Sequence, residues 1–301
     1  MANNRRATLA LCLALVYLVW GSSYLVTAVG VRHLPPLLFG GVRFSIAGVL
    51  LLALARFRGE TVRVDRIELK HVTIVALGSI LLSNGLNAWG LQYVPSNQAA
   101  LLNTTAALWI AVFATRGSRA HALEQHVMLG LLVGFFGAAL IIWPRGSWTT
   151  SQLPEQGMIL LGVLGWAFSA VYLRNVASKL EVLAFTGMQF LAGGAMLIVA
   201  GLVLGEAPRF QLSADGLWPM AYLIVMSSCF TYLAFAWLAK NTTPAIVGTY
   251  AYVNPAVAAV VGWAILDERL SAAQLLGMAV MLLGIGLVTW QRKRTRLPPA
   301  P

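Results

Sequence analysis

The sequence predicts an all-α membrane protein of ten transmembrane helices, arranged as two inverted five-helix repeats with both termini in the cytoplasm. Three observations lead to this prediction. Of the 301 residues, 59% are hydrophobic and only 10% are charged, whereas soluble domains are about 25% charged. Basic residues are divided unevenly between alternate loops, and the second half of the chain repeats features of the first half at a nearly constant spacing.

Long apolar runs define the predicted spans. About 20 apolar residues cross a bilayer as one helix, so ten spans use roughly 200 residues and leave only short loops and tails. The spans are predicted at residues 8–29, 36–55, 71–91, 97–115, 127–143, 157–176, 182–204, 217–239, 245–266 and 273–290. The runs do not alternate in polarity, which excludes a transmembrane β-barrel. The first run is too long for a signal peptide and is taken as the first span.

Lysine and arginine indicate the orientation. If the chain has ten spans, the loops and tails on one side of the membrane hold sixteen of the 21 lysines and arginines, and those on the other side hold four. The remaining one, Arg43, lies inside a span. The richer side is cytoplasmic by the positive-inside rule, and it carries both termini. The net charge of +11 is therefore explained by topology, and nucleic acid is not expected as a partner. We predict a multi-pass protein of a bacterial-type inner membrane.

The two halves of the chain are related by a shift of about 146 residues. At this shift Trp20 aligns with Trp166 and Phe44 aligns with Phe190. Residues 1–148 are predicted to form the first five-span repeat and residues 149–301 the second. Because five is odd, the second repeat enters the membrane from the opposite side, as in many transporters whose substrate path lies between the repeats. Chance similarity between apolar segments is the alternative explanation.

Several motifs carry a family resemblance. The second half ends with Tyr250–Pro255, the stretch Leu266–Ser271, and then Gln274, Gly277 and Gly284. This pattern resembles the closing signature of an EamA repeat of the drug/metabolite transporter superfamily. The segment 20–23 and the Arg43-Phe44 pair resemble the opening elements, whereas the segment 116–125 of the first half departs from the closing pattern. The resemblance implies a transporter similar to bacterial exporters of amino acids, including aromatic ones.

Acidic residues and histidines are absent from the middle of every predicted span. Proton-coupled carriers usually place a titrating group there, because it must alternate its exposure. We therefore expect facilitated diffusion, exchange, or coupling by unusual means, rather than a carboxylate-gated proton antiport. Asp267 and Glu268 match a family motif, but they also fit the first turn of the last helix, where Ser271 and Gln274 form a capping box.

Arg43 is the basic residue that the sequence places within a span. A charge there is costly and usually faces protein or water. Arg43 is interpreted either as the counter-charge for a substrate carboxylate or as a structural arginine near a helix start. Its repeat partner is Gln189, which is also polar, and this symmetry favours two inward-facing side chains.

Other polar and aromatic residues within the spans complete the candidate site. Tyr17, Trp20 and Tyr24 share one helical face. Amides without partners are costly in hydrocarbon, so the polar groups must contact other helices or line a wet cavity. Pro255 is expected to kink or break the ninth span. The predicted substrate-binding residues are Trp20, Tyr24, Arg43, Asn84, Asn87, Asn103, Trp166, Gln189, Tyr250 and Asn254.

The sequence favours a carrier that exports small neutral solutes, aromatic or apolar amino acids, by alternating access. Aromatic walls would hold the apolar side chain and attract an ammonium group. The alternatives are an exporter of other metabolites or drugs, or a nucleotide-sugar or sugar-phosphate carrier of the same fold; a channel also stays open. No enzymatic activity, cofactor or metal site is predicted. The expected partners are the small-molecule substrate and membrane lipid, and the sequence leaves homo-oligomerisation open.

Overall fold

The computed structural model describes residues 2–94, 96–115, 125–142, 153–176, 178–242, 246–247, 249–266 and 272–289. The regular secondary structure of these residues is helical. The predicted all-α class is therefore confirmed for these residues. Asp267, Glu268 and Ser271 lie outside the described residues, as do the loop 116–124 and the tail from residue 290. The expected capping box at the last helix is thus not described.

Each half of the chain contributes a similar series of helices. The first half forms α1 (Ala2–His33), α2 (Pro36–Phe57), α3 (Arg66–Ala76), π1 (Leu77–Gly85), α4 (Leu86–Gly90), α5 (Ser96–Thr104), α6 (Ala106–Ala114) and α7 (Gln125–Ile142). The second half forms α8 (Leu153–Asn175), α9 (Val182–Val203), α10 (Ala214–Tyr222), π2 (Leu223–Thr231), α11 (Tyr232–Asn241), α12 (Tyr250–Leu266) and α13 (Ala272–Thr289). The segments π1 and π2 are π-helical and continuous with the α-helices on either side.

Six helical stretches among the described residues are long and apolar enough to cross a membrane. They are Arg5–His33, Pro36–Phe57, Arg66–Gly90, Leu153–Asn175, Val182–Val203 and Ala214–Leu238. These correspond to six of the ten predicted spans. The other four predicted spans coincide with α5 and α6 together, α7, α12 and α13, which are shorter helices. The count of ten spans stays a prediction.

Two tight corners end α2 and α9. Gly59 and Gly205 follow these helices with φ angles of +76° and +73°. The left-handed region favours glycine, which lacks a Cβ, and it closes a helix end by satisfying its last carbonyl groups. Each glycine is followed by a glutamate, Glu60 or Glu206, whose backbone N–H bonds back five residues into the helix, at 2.9 Å in both corners.

The two glutamates connect the halves of the chain. Glu60 accepts a hydrogen bond of 3.0 Å from the backbone N–H of Ala184, in the first turn of α9. Glu206 accepts hydrogen bonds of 3.3 and 2.8 Å from the backbone N–H groups of Leu37 and Leu38, in the first turn of α2. Both carboxylates satisfy free donors at a helix N-terminus, where the helix dipole also favours negative charge.

Glycines allow close packing between helices of different halves. A Cβ added to Gly41 of α2 would lie 3.1 Å from the carbonyl oxygen of Gly194 of α9. A Cβ added to Gly137 of α7 would lie 2.8 Å from the carbonyl oxygen of Gly277 of α13. Small residues at such positions let helix backbones approach closely within a membrane. The fifth and tenth predicted spans, which overlap α7 and α13, therefore approach each other closely.

The π-helical segments alter which side chains face inward. In a π-helical turn each carbonyl accepts a hydrogen bond from the N–H five residues later, instead of four residues later as in an α-helix. Such turns are frequent at functional sites. Side chains assist here: Asn84 donates a hydrogen bond of 2.7 Å to the Ser79 carbonyl, and Thr231 donates one of 2.8 Å to the Met226 carbonyl. Both bonds reach five residues back. They position the polar residues of π1 and π2.

Candidate functional site

A cavity of about 130 Å³ lies between the two halves of the chain, and we call it the polar cavity. Helices α1, α2, α4, α5, α6, α8, α11 and α12 line it, together with π1 and π2. Nine of the ten predicted site residues line it, namely Trp20, Tyr24, Arg43, Asn84, Asn87, Asn103, Trp166, Tyr250 and Asn254. The tenth, Gln189, lines a different cavity. Arg43 and Gln189, which were expected to face inward as a pair, therefore line two separate cavities.

Arg43 supplies the charge of the polar cavity. Its side chain is only 6% exposed, and it is the charged residue among the described lining residues. One terminal nitrogen donates a hydrogen bond of 3.2 Å to Asn84 Oδ1, and the guanidinium carbon lies 4.2 Å from the ring centroid of Phe44. Its Nε has no partner among the described residues, so one donor of a buried cation is left for another group.

Buried acceptors lie in the same cavity. Asn87 donates a hydrogen bond of 2.9 Å to Asn103 Oδ1, and Asn103 donates one of 2.8 Å to the Ala99 carbonyl. In the described part of the chain, Asn87 Oδ1, Asn254 Oδ1 and the hydroxyl of Ser228 have no hydrogen-bond partner. An unsatisfied buried polar group costs about 1–3 kcal/mol. A ligand or water that pairs with these atoms would recover that cost.

Five aromatic rings form a layer at one end of the polar cavity. The ring centroid of Trp20 lies 5.8 Å from that of Trp166, 5.1 Å from those of Phe235 and Tyr250, and 6.0 Å from that of Tyr232. Trp166 Nε1 donates a hydrogen bond of 2.7 Å to the hydroxyl of Tyr250. These distances are typical of favourable aromatic pairs. We call these five residues the aromatic layer.

A second cavity, of about 490 Å³, lies beyond the aromatic layer. It shares Trp166, Tyr232 and Tyr250 with the polar cavity. Its lining continues along α8 to Arg174 and reaches Ser178 in the connection between α8 and α9. The polar cavity instead extends along α1 towards the turn between α1 and α2, through Thr27. The two cavities therefore approach opposite ends of the helix bundle.

Polar contacts hold the α8–α9 connection against the α2–α3 connection. Glu68 accepts hydrogen bonds of 2.7 Å from the Ser178 hydroxyl and from the backbone N–H of Lys179. The Lys179 ammonium lies 3.0 Å from the Asp65 carboxylate. The backbone N–H of Glu68 and the Lys179 side chain lower the pKa of Asp65, and the hydrogen bond to Asp65 raises the pKa of Lys179. Both groups of the ion pair are exposed, so the pair itself adds little stability.

The structure adds lining residues that the sequence did not single out as site residues. Phe39, Phe44, Ser228 and Tyr232 all line the polar cavity. The alignment of Phe44 with Phe190 was a usable signal, and the two ring centroids are 5.0 Å apart. Tyr232 follows π2, so its direction depends on hydrogen bonding that hydropathy does not encode. Pro255 lies inside α12, which runs without interruption from Tyr250 to Leu266, so a break does not occur there, because proline removes only one backbone bond. The alternative, a kink at Pro255, stays a prediction.

Metal ligands do not cluster in the described segments: no three His, Cys, Asp or Glu side chains come together in a way that could hold a metal ion. The chemistry available in the polar cavity is hydrogen bonding, one positive charge and aromatic surface. Such an arrangement suits reversible binding of a small organic molecule.

Comparison with known proteins identifies the family. The model of the EamA-like transporter family matches this chain twice, over residues 8–143 and 154–290. The chain belongs to the EamA-like transporter family. This EamA protein is 32% identical over 276 residues to the uncharacterized inner membrane transporter YedA of Escherichia coli (strain K12), covering 91% of this chain and 88% of that one. It is 23% identical to the uncharacterized transporter YoaV of Bacillus subtilis (strain 168), over 94% of this chain and 97% of that one.

A solved structure shares the EamA protein's fold. It superposes with a TM-score of 0.79 and 18% sequence identity, over 94% of this chain and 96% of its own. The family match and the six apolar helices together make the chain a multi-pass integral membrane protein. The transporter class expected from its motifs is confirmed.

Proposed function

We propose that this EamA-family transporter carries small zwitterionic solutes, aromatic or apolar amino acids, by alternating access through the polar cavity. The observation that carries the proposal is the set of unpaired buried atoms in that cavity: one donor on Arg43 and two amide acceptors on Asn87 and Asn254. A carboxylate accepts from the guanidinium, and an ammonium donates to the amide oxygens. The charges of an amino acid match this set.

The aromatic layer supplies the remaining contact. A face of Trp20 or Tyr250 would bury an apolar side chain and attract an ammonium group, each cation–π contact being worth about 0.5–2 kcal/mol. A purely cationic drug would lack a partner for Arg43 and would prefer a carboxylate, which no described lining residue of the polar cavity supplies. A sugar phosphate or nucleotide sugar would favour more than the one arginine found there.

An inverted repeat accounts for how the cavity opens on either side. Its support is a set of contacts related by 146 residues: Glu60 bonds to Ala184, and Glu206 bonds to Leu38. Gly59 and Gly205 are related by the same shift, and so are the starts of π1 and π2. We assign residues 1–148 and 149–301 to the two five-span repeats, which would rock about the central site.

Membrane orientation and energy coupling are part of the same proposal. Sixteen basic residues against four support a cytoplasmic location for both termini. The name of YedA supports the inner membrane. Export is what the family resemblance implies. Since the described lining of the polar cavity holds no carboxylate or histidine, we propose facilitated diffusion or exchange, and transport without a catalytic step.

Counterflow in proteoliposomes tests the proposed function. Vesicles loaded with unlabelled phenylalanine should accumulate labelled phenylalanine, with saturation and without a pH gradient. Labelled glucose 6-phosphate and choline, tested in parallel, should not accumulate. Uptake of the phosphate ester in place of the amino acid would reject the substrate class, and uptake that strictly requires a proton gradient would reject the coupling.

A further inference from the structure

The larger of the two cavities has no part in the proposed recognition of the zwitterion. It measures about 490 Å³, against about 130 Å³ for the polar cavity. We call it the apolar cavity because aliphatic and aromatic side chains form most of its wall. Its ring-bearing residues are Trp166, Phe185, Tyr232, Phe235 and Tyr250. A concave, largely apolar space of this size with few polar groups is typical of a small-molecule site.

One buried polar atom gives the apolar cavity its chemical preference. Gln189 is fully buried, and its Nε2 donates hydrogen bonds of 2.8 Å both to the Ser79 hydroxyl and to the Tyr232 hydroxyl. These two bonds fix the amide, and its Oε1 has no partner among the described residues. Gln189 lines the apolar cavity. The cavity therefore offers one fixed amide acceptor in a mostly apolar wall, with Arg174 at its α8–α9 end.

The apolar cavity extends to one end of the bundle. Ser178 and Leu180, in the connection between α8 and α9, form part of its lining. At the opposite end the aromatic layer separates it from the polar cavity, and the hydrogen bond from Trp166 to Tyr250 holds two of its rings together. A solute that enters from the α8–α9 end meets the acceptor on Gln189 before it reaches Arg43.

We propose that the apolar cavity is a binding site in its own right, which takes a small uncharged aromatic group carrying one N–H or O–H donor. The donor pairs with Gln189 Oε1, and the ring packs among the aromatic side chains. The inference goes beyond the proposed function, because this site takes an uncharged aromatic group separately from the zwitterion held in the polar cavity. Binding there needs neither the carboxylate nor the ammonium group of an amino acid.

Indole is the probe for this site, since it is an uncharged ring with a single N–H donor. Binding of radiolabelled indole is measured on the full-length protein in nanodiscs. We expect saturable binding, and 1-methylindole should compete about five-fold less well because it lacks the donor. Equal competition by the two compounds would remove Gln189 Oε1 from the proposed contact and overturn the proposal.

Filling variants locate the bound probe. Ala170→Trp and Ala236→Trp place an indole ring into the wall of the apolar cavity, and each should weaken indole binding more than ten-fold. Ala53→Trp is the matched control, because Ala53 is exposed on α2 and lines neither cavity. Monodisperse elution and unchanged thermal unfolding show which filling variant is folded. Wild-type affinity in both filling variants would overturn the proposal.

Two further results separate this inference from the proposed function and from lipid binding. Arg43→Gln should leave indole binding unchanged; loss of binding would place the probe in the polar cavity and overturn the inference. An acyl chain that co-purifies with the wild type and is absent from Ala236→Trp, detected by mass spectrometry, would assign the cavity to lipid instead. Phenylalanine counterflow that persists without saturable indole binding would leave the proposed function standing and reject the second site.

Discussion

Trp166 and Tyr250 are joined by a hydrogen bond of 2.7 Å from the indole nitrogen to the phenol oxygen, and both residues line both cavities. Trp166 belongs to α8 and Tyr250 to α12. A solute that crosses from one cavity to the other must pass the rings that this bond holds together. In the proposed alternating-access cycle, these rings must therefore move to open a path between the two cavities.

Removing the acceptor should weaken the aromatic layer. Tyr250→Phe keeps the ring and leaves the Trp166 N–H without its partner, at a cost of about 1 kcal/mol. We expect phenylalanine counterflow to fall about five-fold, measured in proteoliposomes. Tyr17→Phe is the matched control, because it removes a bond of equal length to Thr249 away from both cavities. Equal loss of transport in both variants would mean that the aromatic layer has no special role.

Replacing Arg43 should affect the substrate's carboxylate selectively. Arg43→Gln removes a charged donor, and hydrogen bonds to charged groups contribute about 1.5–3 kcal/mol, so the KM for phenylalanine should rise ten-fold or more. Phenylethylamine has no carboxylate, and its competition with phenylalanine for binding should change little between wild type and variant. If the variant weakens both compounds equally, Arg43 is structural and makes no contact with the carboxylate.

Asn254 and Trp20 give a second, independent test of the polar cavity. Asn254→Ala removes a buried acceptor, and Trp20→Ala removes the ring that contacts four others. Both variants should reduce transport at least ten-fold while the protein still inserts in the membrane, as judged by its amount in the membrane fraction. Normal transport by both variants would exclude these residues from the binding site.

The Asp65–Lys179 ion pair predicts a change in amine reactivity. Asp65 raises the pKa of Lys179 above its ordinary value of 10.5, so less free amine is present at a given pH. In Asp65→Asn the pH–rate profile for acylation of Lys179 should move to lower pH, as measured by peptide mapping. The contribution of the pair to stability is fully present between pH 3.8 and pH 10.5. It is lost as the pH rises through the raised pKa of Lys179 or falls through the lowered pKa of Asp65.

Lys70 provides the control for this measurement, because it is exposed and its acylation rate should be the same in both proteins. An unchanged profile for Lys179 would mean that the ion pair does not form in the membrane-embedded protein. With a membrane-impermeant reagent, the same peptides also report the side on which the α8–α9 connection lies. Labelling of Lys179 from the outside of intact cells would contradict the proposed orientation.

Sequence patterns identified most of the polar cavity because its residues are anomalies in their surroundings. Asn84, Asn87, Asn103 and Asn254 are amides within apolar runs, and lipid gives such groups no partner. Gln189 was identified in the same way, as a polar residue within an apolar run. That it lines the apolar cavity could not be inferred, because the repeat shift aligns residues in the sequence and does not say which cavity each side chain lines. Hydropathy alone also could not separate the six long helices from the four shorter ones.

The π-helical segments are the part of the fold that no sequence pattern revealed. Residues such as Ser83 and Asn84 in π1, or Ser227 and Ser228 in π2, are compatible with an ordinary α-helix. Whether a carbonyl bonds to the N–H four or five residues later depends on how the segment packs against neighbouring helices. One example is the packing of π1 against α8, where Gly78 lies close to Gly165. The direction of Tyr232 was missed for the same reason.

A π-helical turn differs from an α-helical one by a single residue, and this has a consequence for length variation in the chain. Deleting one residue within Leu77–Gly85 would convert a π-helical turn into an α-helical one, and the helix downstream would keep nearly the same facing. The same deletion within an α-helix would instead rotate everything downstream by about 100°. Asn87, just downstream of Leu77–Gly85, would then still face the polar cavity after a deletion in that segment. One-residue deletions should therefore be tolerated better at Leu77–Gly85 and Leu223–Thr231 than in the α-helical segments beside them.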